Sequence, residues 1–167
     1  MEFLAGKRNL ESIDGIAFKK GEEIVRTKPR KFIENLDSLP FPAYHLVDIL
    51  KYTPPPGLFF RTPTVAIGTS RGCPYQCNYC ADRVLWQSRC RMHSAEYVIE
   101  EMELLLKKFG IREIRFLDDT FTLDRQRVVK ICEELLRRKL DILWRCASRA
   151  DRVDLELLKL MKKSGCC

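Results

Sequence analysis

The sequence predicts an α/β fold: a partial parallel (β/α) barrel of about three βα units, preceded by a β-hairpin and an extended linker. Three observations predict it. From residue 64 onward, short β-branched strands alternate with amphipathic helices, and that alternation gives parallel strands joined by right-handed crossovers. Before residue 64, patterned apolar sequence is sparse while proline and glycine signals are dense. The alternation stops after a third helix, at "KSGCC", where a fourth strand should begin. Three strands neither close a barrel nor cover both faces of a sheet. The chain therefore reads as an internal piece of a longer barrel protein. As half a barrel with an open apolar sheet edge, it is expected to be poorly stable alone.

Residues 10–28 read as a hairpin within 13–27. "GIAF" and "EIVRT" are its strands and "KKGE" its glycine-containing turn. Pro40 and Pro42 then favour an extended path, and "HLVDILKY" reads as one short helix. "TPPPGLFFRTP", residues 53–63, is a stiff proline-rich connector. "TVAIGTS" is the first barrel strand. Ser94 opens a helix as N-cap, with Ala95, Val98, Ile99, Met102, Leu105, Leu106 and Phe109 on one face and Gly110 as its stop. "EIRFLDD" is the second strand. Asp124 caps the second helix, whose face is Val128, Ile131, Cys132, Leu135 and Leu136. "DILWRCAS" is the third strand. Asp154 caps the third helix, bearing Leu157, Leu158 and Met161 and stopped at Ser164–Gly165.

Composition narrows the function classes. With 46% hydrophobic and 32% charged residues, the chain is a soluble globular type rather than a disordered one. No apolar run approaches the roughly 18 residues that a membrane helix needs. "MEFLAGKRNLESIDG" lacks a basic segment followed by an apolar one, so no signal peptide is predicted and the cytoplasm is the default location. The net charge of +7 admits an anionic partner. The basic residues, however, are dispersed beside acids on outer helix faces, which favours solvated surface over a nucleic-acid patch.

The densest stretch is "TSRGCPYQCNYC", residues 69–80, where Cys73, Cys77 and Cys80 follow the first barrel strand as C-x3-C-x2-C. In a parallel α/β sheet the functional site lies at the carboxyl ends of the strands. The cysteine loop, Asp118–Asp119–Thr120 and Ser148–Arg149 each follow a strand, so all three converge on one edge. Zinc at three cysteines would need a fourth ligand. Cys90 and His93 are the available ones, although His93 is expected at the surface. A redox pair of Cys77 and Cys80 would leave Cys73 without a role. Cys132 and Cys146 fall in apolar patterns and read as small core residues. The remaining reading is a [4Fe–4S] cluster held by three thiolates, one iron left open for a substrate or cofactor.

The C-x3-C-x-aromatic-C pattern after the first strand of a βα series resembles the radical S-adenosylmethionine enzymes. "LDSLPFPAYHLVDI", "FLDDTFTLDRQRVVKICEEL" and "WRCASRADRVDLELLKLMKKSGC" extend the resemblance to their cobalamin-binding-domain-associated branch, the group of anaerobic magnesium-protoporphyrin ester cyclases and methyltransferases. The resemblance implies that Cys73, Cys77 and Cys80 ligate the cluster and that Tyr79 lies near the adenine. It implies that Asp118, Asp119 and Thr120 meet the amino group of S-adenosylmethionine, and Arg149 a carboxylate. Two bland alternatives stand beside these: an ordinary loop leading to a helix cap, and an Arg149–Asp151 surface ion pair.

The implied activity is reductive cleavage to a 5′-deoxyadenosyl radical, then methyl transfer or cyclisation on a small-molecule substrate. A flavodoxin- or ferredoxin-type electron donor is implied, with cobalamin on a domain of which residues 1–52 would be the tail and linker. Residues 64–167 would be the N-terminal half of the barrel. Two rivals are a structural or regulatory zinc-binding module and an RNA-modifying methylthiotransferase-like enzyme. The second would carry upstream cysteines, and residues 1–72 hold none. A D-x-H-x-x-G cobalt-ligating motif is also absent from this sequence.

Overall fold

The computed structural model describes residue 6 and residues 9–167. Residues up to Glu34 form one compact unit and Asn35–Cys167 a second. In the first, β1 (Ala17–Lys20) and β2 (Glu23–Arg26) pair as the expected antiparallel hairpin, Phe18 opposite Val25.

The second unit begins earlier than the expected boundary at residue 64. Leu36 and Ile49 are buried, and Ile49 belongs to the main core. Tyr44 donates its hydroxyl to buried Glu101 at 2.6 Å, and Phe41 meets Tyr97 edge-on at 4.6 Å. The proline-interrupted segment thus supplies a few apolar anchors to a core built elsewhere. The helix expected at "HLVDILKY" is instead two 3₁₀ turns, Tyr44–Leu46 and Ile49–Lys51. Val47 between them is extended. Neither turn has a capping side chain to prolong it.

Three parallel strands form the central sheet: β3 (Thr64–Ile67), β6 (Glu113–Phe116) and β7 (Leu143–Arg145), in the order β3-β6-β7. Between β3 and β6 lie β4 (Ser70–Arg71), α1 (Asp82–Trp86), β5 (Arg91–Met92) and α2 (Ala95–Phe109). α3 (Arg125–Arg137) joins β6 to β7, and α4 (Leu155–Lys163) follows β7. Each long helix starts where its cap was expected. Ser94, Asp124 and Asp154 accept from the backbone N–H of Tyr97, Arg127 and Leu157, satisfying donors that a helix start leaves free.

The three helices bury their apolar faces against one side of the sheet. Ile114, Phe116 and Trp144 point into that layer among Val98, Ile99, Met102, Val128, Ile131, Cys132 and Leu157. Phe116 stacks on Phe121 at 4.4 Å, and the Trp144 indole N–H donates to the Ser164 carbonyl at 3.0 Å. The beginning of a fourth strand is present: Cys166 bridges Trp144 in parallel register. Gly165 makes the approach possible. Its φ is +102°, and a Cβ there would lie 2.6 Å from the Ile142 carbonyl oxygen. The opposite sheet face is less apolar than expected of an open half-barrel, because Arg115 and Arg145 project from it beside Leu117. The basic residues of α2 and α3 pair along the helix surfaces, as in Arg138 with Glu103 at 2.6 Å and Glu134 at 3.0 Å.

Polar groups lock the first two strands at their carboxyl ends. Asp118 accepts from Thr69 twice, from its backbone N–H and its hydroxyl, both at 2.6 Å. Arg127 of α3 donates to the Thr69 hydroxyl at 2.6 Å and to the His93 carbonyl at 2.7 Å. Its guanidinium lies 4.0 Å from Asp118. His93, expected at the surface, is buried. It stacks on Tyr97 at 3.9 Å and holds Asp37 at 3.0 Å through Nδ1. An ionised carboxylate only accepts, so Nδ1 carries the proton.

Two outcomes follow from this network. Asp118→Ala leaves Arg127 buried without its counter-charge and should lower unfolding free energy by about 3 kcal/mol, measured by urea denaturation. Burial lowers the His93 pKa from its ordinary 6.5, against the opposing pull of Asp37. The unfolded chain then binds more protons as pH falls below 6.5. Stability fully present above that value should therefore decline between it and the lower folded pKa. Thermal melts of the wild type and His93→Gln across that interval should show the decline only in the wild type.

Candidate functional site

The carboxyl ends of β3, β6 and β7 carry the three segments expected to converge there. Their backbones are stitched together: Leu117 N–H donates to the Ile67 carbonyl at 2.8 Å, and Phe121 N–H to the Ala147 carbonyl at 3.0 Å. The cysteine loop leaves β3 through Thr69 and is closed at its base by antiparallel pairing of β4 with β5, Ser70 opposite Met92 and Arg71 opposite Arg91. Gly72 sits where the arms meet, with φ of +86°. A Cβ there would lie 2.2 Å from the Arg89 carbonyl oxygen and 2.7 Å from Trp86 Cβ. Only glycine fits that closure.

Within the loop Cys73, Cys77 and Cys80 are free thiols, the first two half-buried and the third exposed. The Cys73 sulfur is 3.8 Å from the Thr120 hydroxyl, so the loop reaches the end of β6. Among the described residues, no three His, Cys, Asp or Glu side chains converge closely enough to hold a single metal ion. His93 is engaged by Asp37 and Tyr97, apart from the cysteines. Burial foremost, then the charges of Asp118 and Cys73, push the half-buried Cys90 thiol up to about 11, which favours the protonated form over a ligating thiolate.

The remaining expected site residues divide. Thr120 is buried beside Cys73. Asp119 is exposed, and burial of its carboxyl followed by the charges of Asp82 and Asp118 raise its pKa. Asp118 is different: both of its oxygens are held by Thr69 inside the fold. As observed it is a lock between strands rather than a carboxylate presented to a ligand. Tyr79 is 95% exposed. Arg149 makes the surface ion pair with Asp151, 3.0 Å at both Nε and Nη2. The same guanidinium lies 4.0 Å above the ring of Tyr75, between Cys73 and Cys77. Arg152 donates to the Tyr75 hydroxyl. The third strand's loop therefore grips the cysteine loop through one tyrosine.

Sequence reasoning missed Tyr75, Arg152, Thr69 and Arg127. Arg127 did leave a signal. It stands four residues before Ile131, on the apolar stripe of α3, where a cation has to be paired. A cavity of about 510 Å³ opens beside these segments, lined by Leu58, Leu117, Asp119, Arg115 and Arg145 among others. Among the described residues, no helix is long and apolar enough to cross a membrane.

Comparison with known proteins agrees with this geometry. The model of the family described as the Radical SAM superfamily matches residues 67–167, from the last residue of β3 onward. An uncharacterized methyltransferase of Pyrococcus horikoshii is 37% identical over 99% of this chain and 35% of its own length. The anaerobic magnesium-protoporphyrin IX monomethyl ester cyclase of Synechocystis is 30% identical over 97% of this chain and 32% of its own. The chain thus spans about a third of those relatives. Among solved structures, the cobalamin-dependent S-adenosylmethionine radical enzyme OxsB superposes with a TM-score of 0.76 at 24% identity, over 99% of this chain and 25% of that one. The methyltransferase TsrM from Kitasatospora setae superposes at 0.70 with 20% identity, over 98% and 33%. Those two likenesses establish the fold. With most of its residues matched, with parallel βα units in place and with the three-cysteine loop at the end of the first barrel strand, the chain belongs to the Radical SAM superfamily.

Proposed function

We propose that this chain is the cluster-bearing part of an enzyme that reductively cleaves S-adenosylmethionine and uses the resulting radical for methyl transfer or cyclisation on a small molecule. The observation that carries the reading is the loop itself: three free thiols at C-x3-C-x2-C spacing on the carboxyl edge of β3. The donor set fits a [4Fe–4S] cluster. Thiolates are its usual ligands, and the loop is closed at its base at Gly72 and gripped from the loop after β7 by Arg149 and Arg152. A cluster held by three thiolates supplies an open iron and an electron for breaking the sulfonium bond.

Each residue then has a distinct task. Cys73, Cys77 and Cys80 are the ligands. Thr120, beside Cys73, and Asp119, at the exposed end of β6, supply a hydroxyl and a carboxylate for the cofactor's amino group. Tyr79, exposed next to Cys80, is free to settle against the adenine. Arg149 positions the loop through Tyr75 and has a second face for a carboxylate. Asp118 acts one step removed, fixing Thr69 and hence the start of the loop.

Relatives named as a methyltransferase and a cyclase support the choice of outcomes, and OxsB and TsrM bind cobalamin. On that basis residues 1–52 are read as the tail of a cobalamin-binding domain with its linker, 53–63 as a connector, and a flavodoxin- or ferredoxin-type protein as electron donor.

Anaerobic reconstitution of the purified chain with iron and sulfide should yield a broad visible absorption and a reduced-state paramagnetic signal that changes on adding S-adenosylmethionine. Cys73→Ala, Cys77→Ala or Cys80→Ala should each abolish it, while Cys90→Ala should retain it. Zinc in place of iron and sulfide in protein purified without oxygen would overturn the reading. Arg149→Ala should leave the far-ultraviolet circular dichroism unchanged yet speed the loss of bound iron to a chelator. Tyr75→Leu should do the same, and Arg149→Lys should partly restore retention, since an ammonium still attracts the ring face.

A further inference from the structure

The inner face of the sheet carries a charge arrangement that the cluster chemistry does not use. Parallel register sets Arg115 on β6 beside Arg145 on β7. Neighbouring strands lie about 4.8 Å apart, and like charges directly opposite one another destabilise a sheet. The chain relieves only one of the two. Arg145 lies 3.1 Å from Oε1 of Glu113. The side chain of Glu113 is fully buried, and its Oε2 accepts from the backbone N–H groups of Phe60 and Arg61 at 2.6 and 2.8 Å. The side chain of Arg115 has no hydrogen bond or ion pair among the described residues, and it is exposed.

Arg115 and Arg145 both line the cavity of about 510 Å³, a size that suits a small molecule. Its walls include the exposed apolar side chains of Leu58 and Leu117, and Asp119 stands at the rim. Arg115 lies three residues before Asp118 along the chain, about 10 Å below the edge that carries the cysteine loop. That depth separates it from the cofactor-facing residues proposed above.

We infer that Arg115 and Arg145 form a subsite for an oxyanion, a carboxylate or phosphoryl group carried by the substrate. Two adjacent guanidinium forks match the geometry of such a group, and its charge removes the repulsion that Glu113 leaves unbalanced. The carboxylate of Asp119 disfavours a second acidic group at the rim. The substrate class is therefore a molecule with one acidic end placed deep and a neutral or cationic remainder, part of it apolar against Leu58 and Leu117. Calling the ligand a substrate rests on the radical-enzyme reading; the anion site itself does not.

The test is calorimetric titration of the purified chain with inorganic phosphate, malonate and methionine, ionic strength being held constant with sodium chloride. Phosphate or malonate should bind saturably. Arg115→Gln should weaken that binding tenfold or more, Arg115→Lys should lose less, and Arg137→Gln on the outer face of α3 should be unchanged. Protection of Arg115 from phenylglyoxal by the same anions, read by peptide mass spectrometry, gives the answer in the unmutated chain. Absence of saturable binding, equal binding by Arg115→Gln, or binding of methionine alone overturns the inference, the last because it would mark a cofactor subsite. Iron loading is measured separately. Loss of the cluster with anion binding intact would sink the proposed activity and leave this site, and the converse would sink this site alone.

Discussion

The double hydrogen bond from Thr69 to Asp118 is the constraint on which the rest of the functional edge depends. It ties the residue that launches the cysteine loop to the residue that ends β6. Arg127 closes the arrangement from α3 and reaches the carbonyl of His93, the residue before the cap of α2. Two strand ends and two helix starts are thereby held by a few buried polar groups. Such a network stabilises only when it is satisfied, since a buried unpaired charge costs several kcal/mol. Both Asp118 oxygens are satisfied by Thr69, while buried Nη1 of Arg127 makes no hydrogen bond among the described residues and has only the Asp118 charge 4.0 Å away.

The loop hung from that edge is organised at its ends more than at its middle. Gly72 and the short β4–β5 pairing close its base, and Arg149 with Arg152 holds Tyr75 from across the sheet. Between these holds the thiols remain free and Tyr79 stays exposed. A loop proposed to wrap a cofactor gains from this division. The fixed ends set position at low cost in lost conformational freedom, and the middle keeps side chains available for ligation.

The two faces of the sheet have separate work. Ile114, Phe116 and Trp144 face the helices and make the core. Arg115 and Arg145 face the other way, beneath the edge that carries the cysteine loop. The two-residue period of a strand lets four consecutive residues of β6 serve both purposes. Glu113 joins the faces' chemistry to the chain's path, because its buried carboxylate holds both Arg145 and the end of the proline-rich connector.

Much of the scaffold was legible in the sequence. Ser94, Asp124 and Asp154 announced helix starts, the apolar stripes announced which faces are buried, and Cys73, Cys77 and Cys80 announced a loop after the first parallel strand; each of these is a local pattern whose physical cause lies within a few residues. "KSGCC" likewise announced a fourth strand, whose first bridge Cys166 makes. Other features depend on groups far apart in the chain, and no local pattern encodes them. Asp118 read either as a contact for the cofactor's amino group or as part of an ordinary loop, and only the fold brings Thr69, 49 residues earlier, to both its oxygens. His93 read as a surface residue until Asp37, 56 residues earlier, was seen beside it. Arg149 read as either a ligand or an ion-pair partner, and the fold adds a ring beneath it. The sequence alone determined the three successive βα units and the place of the thiols after the first of their strands. Tertiary structure decided which polar groups remain free to act, because that depends on which distant partners folding brings to them.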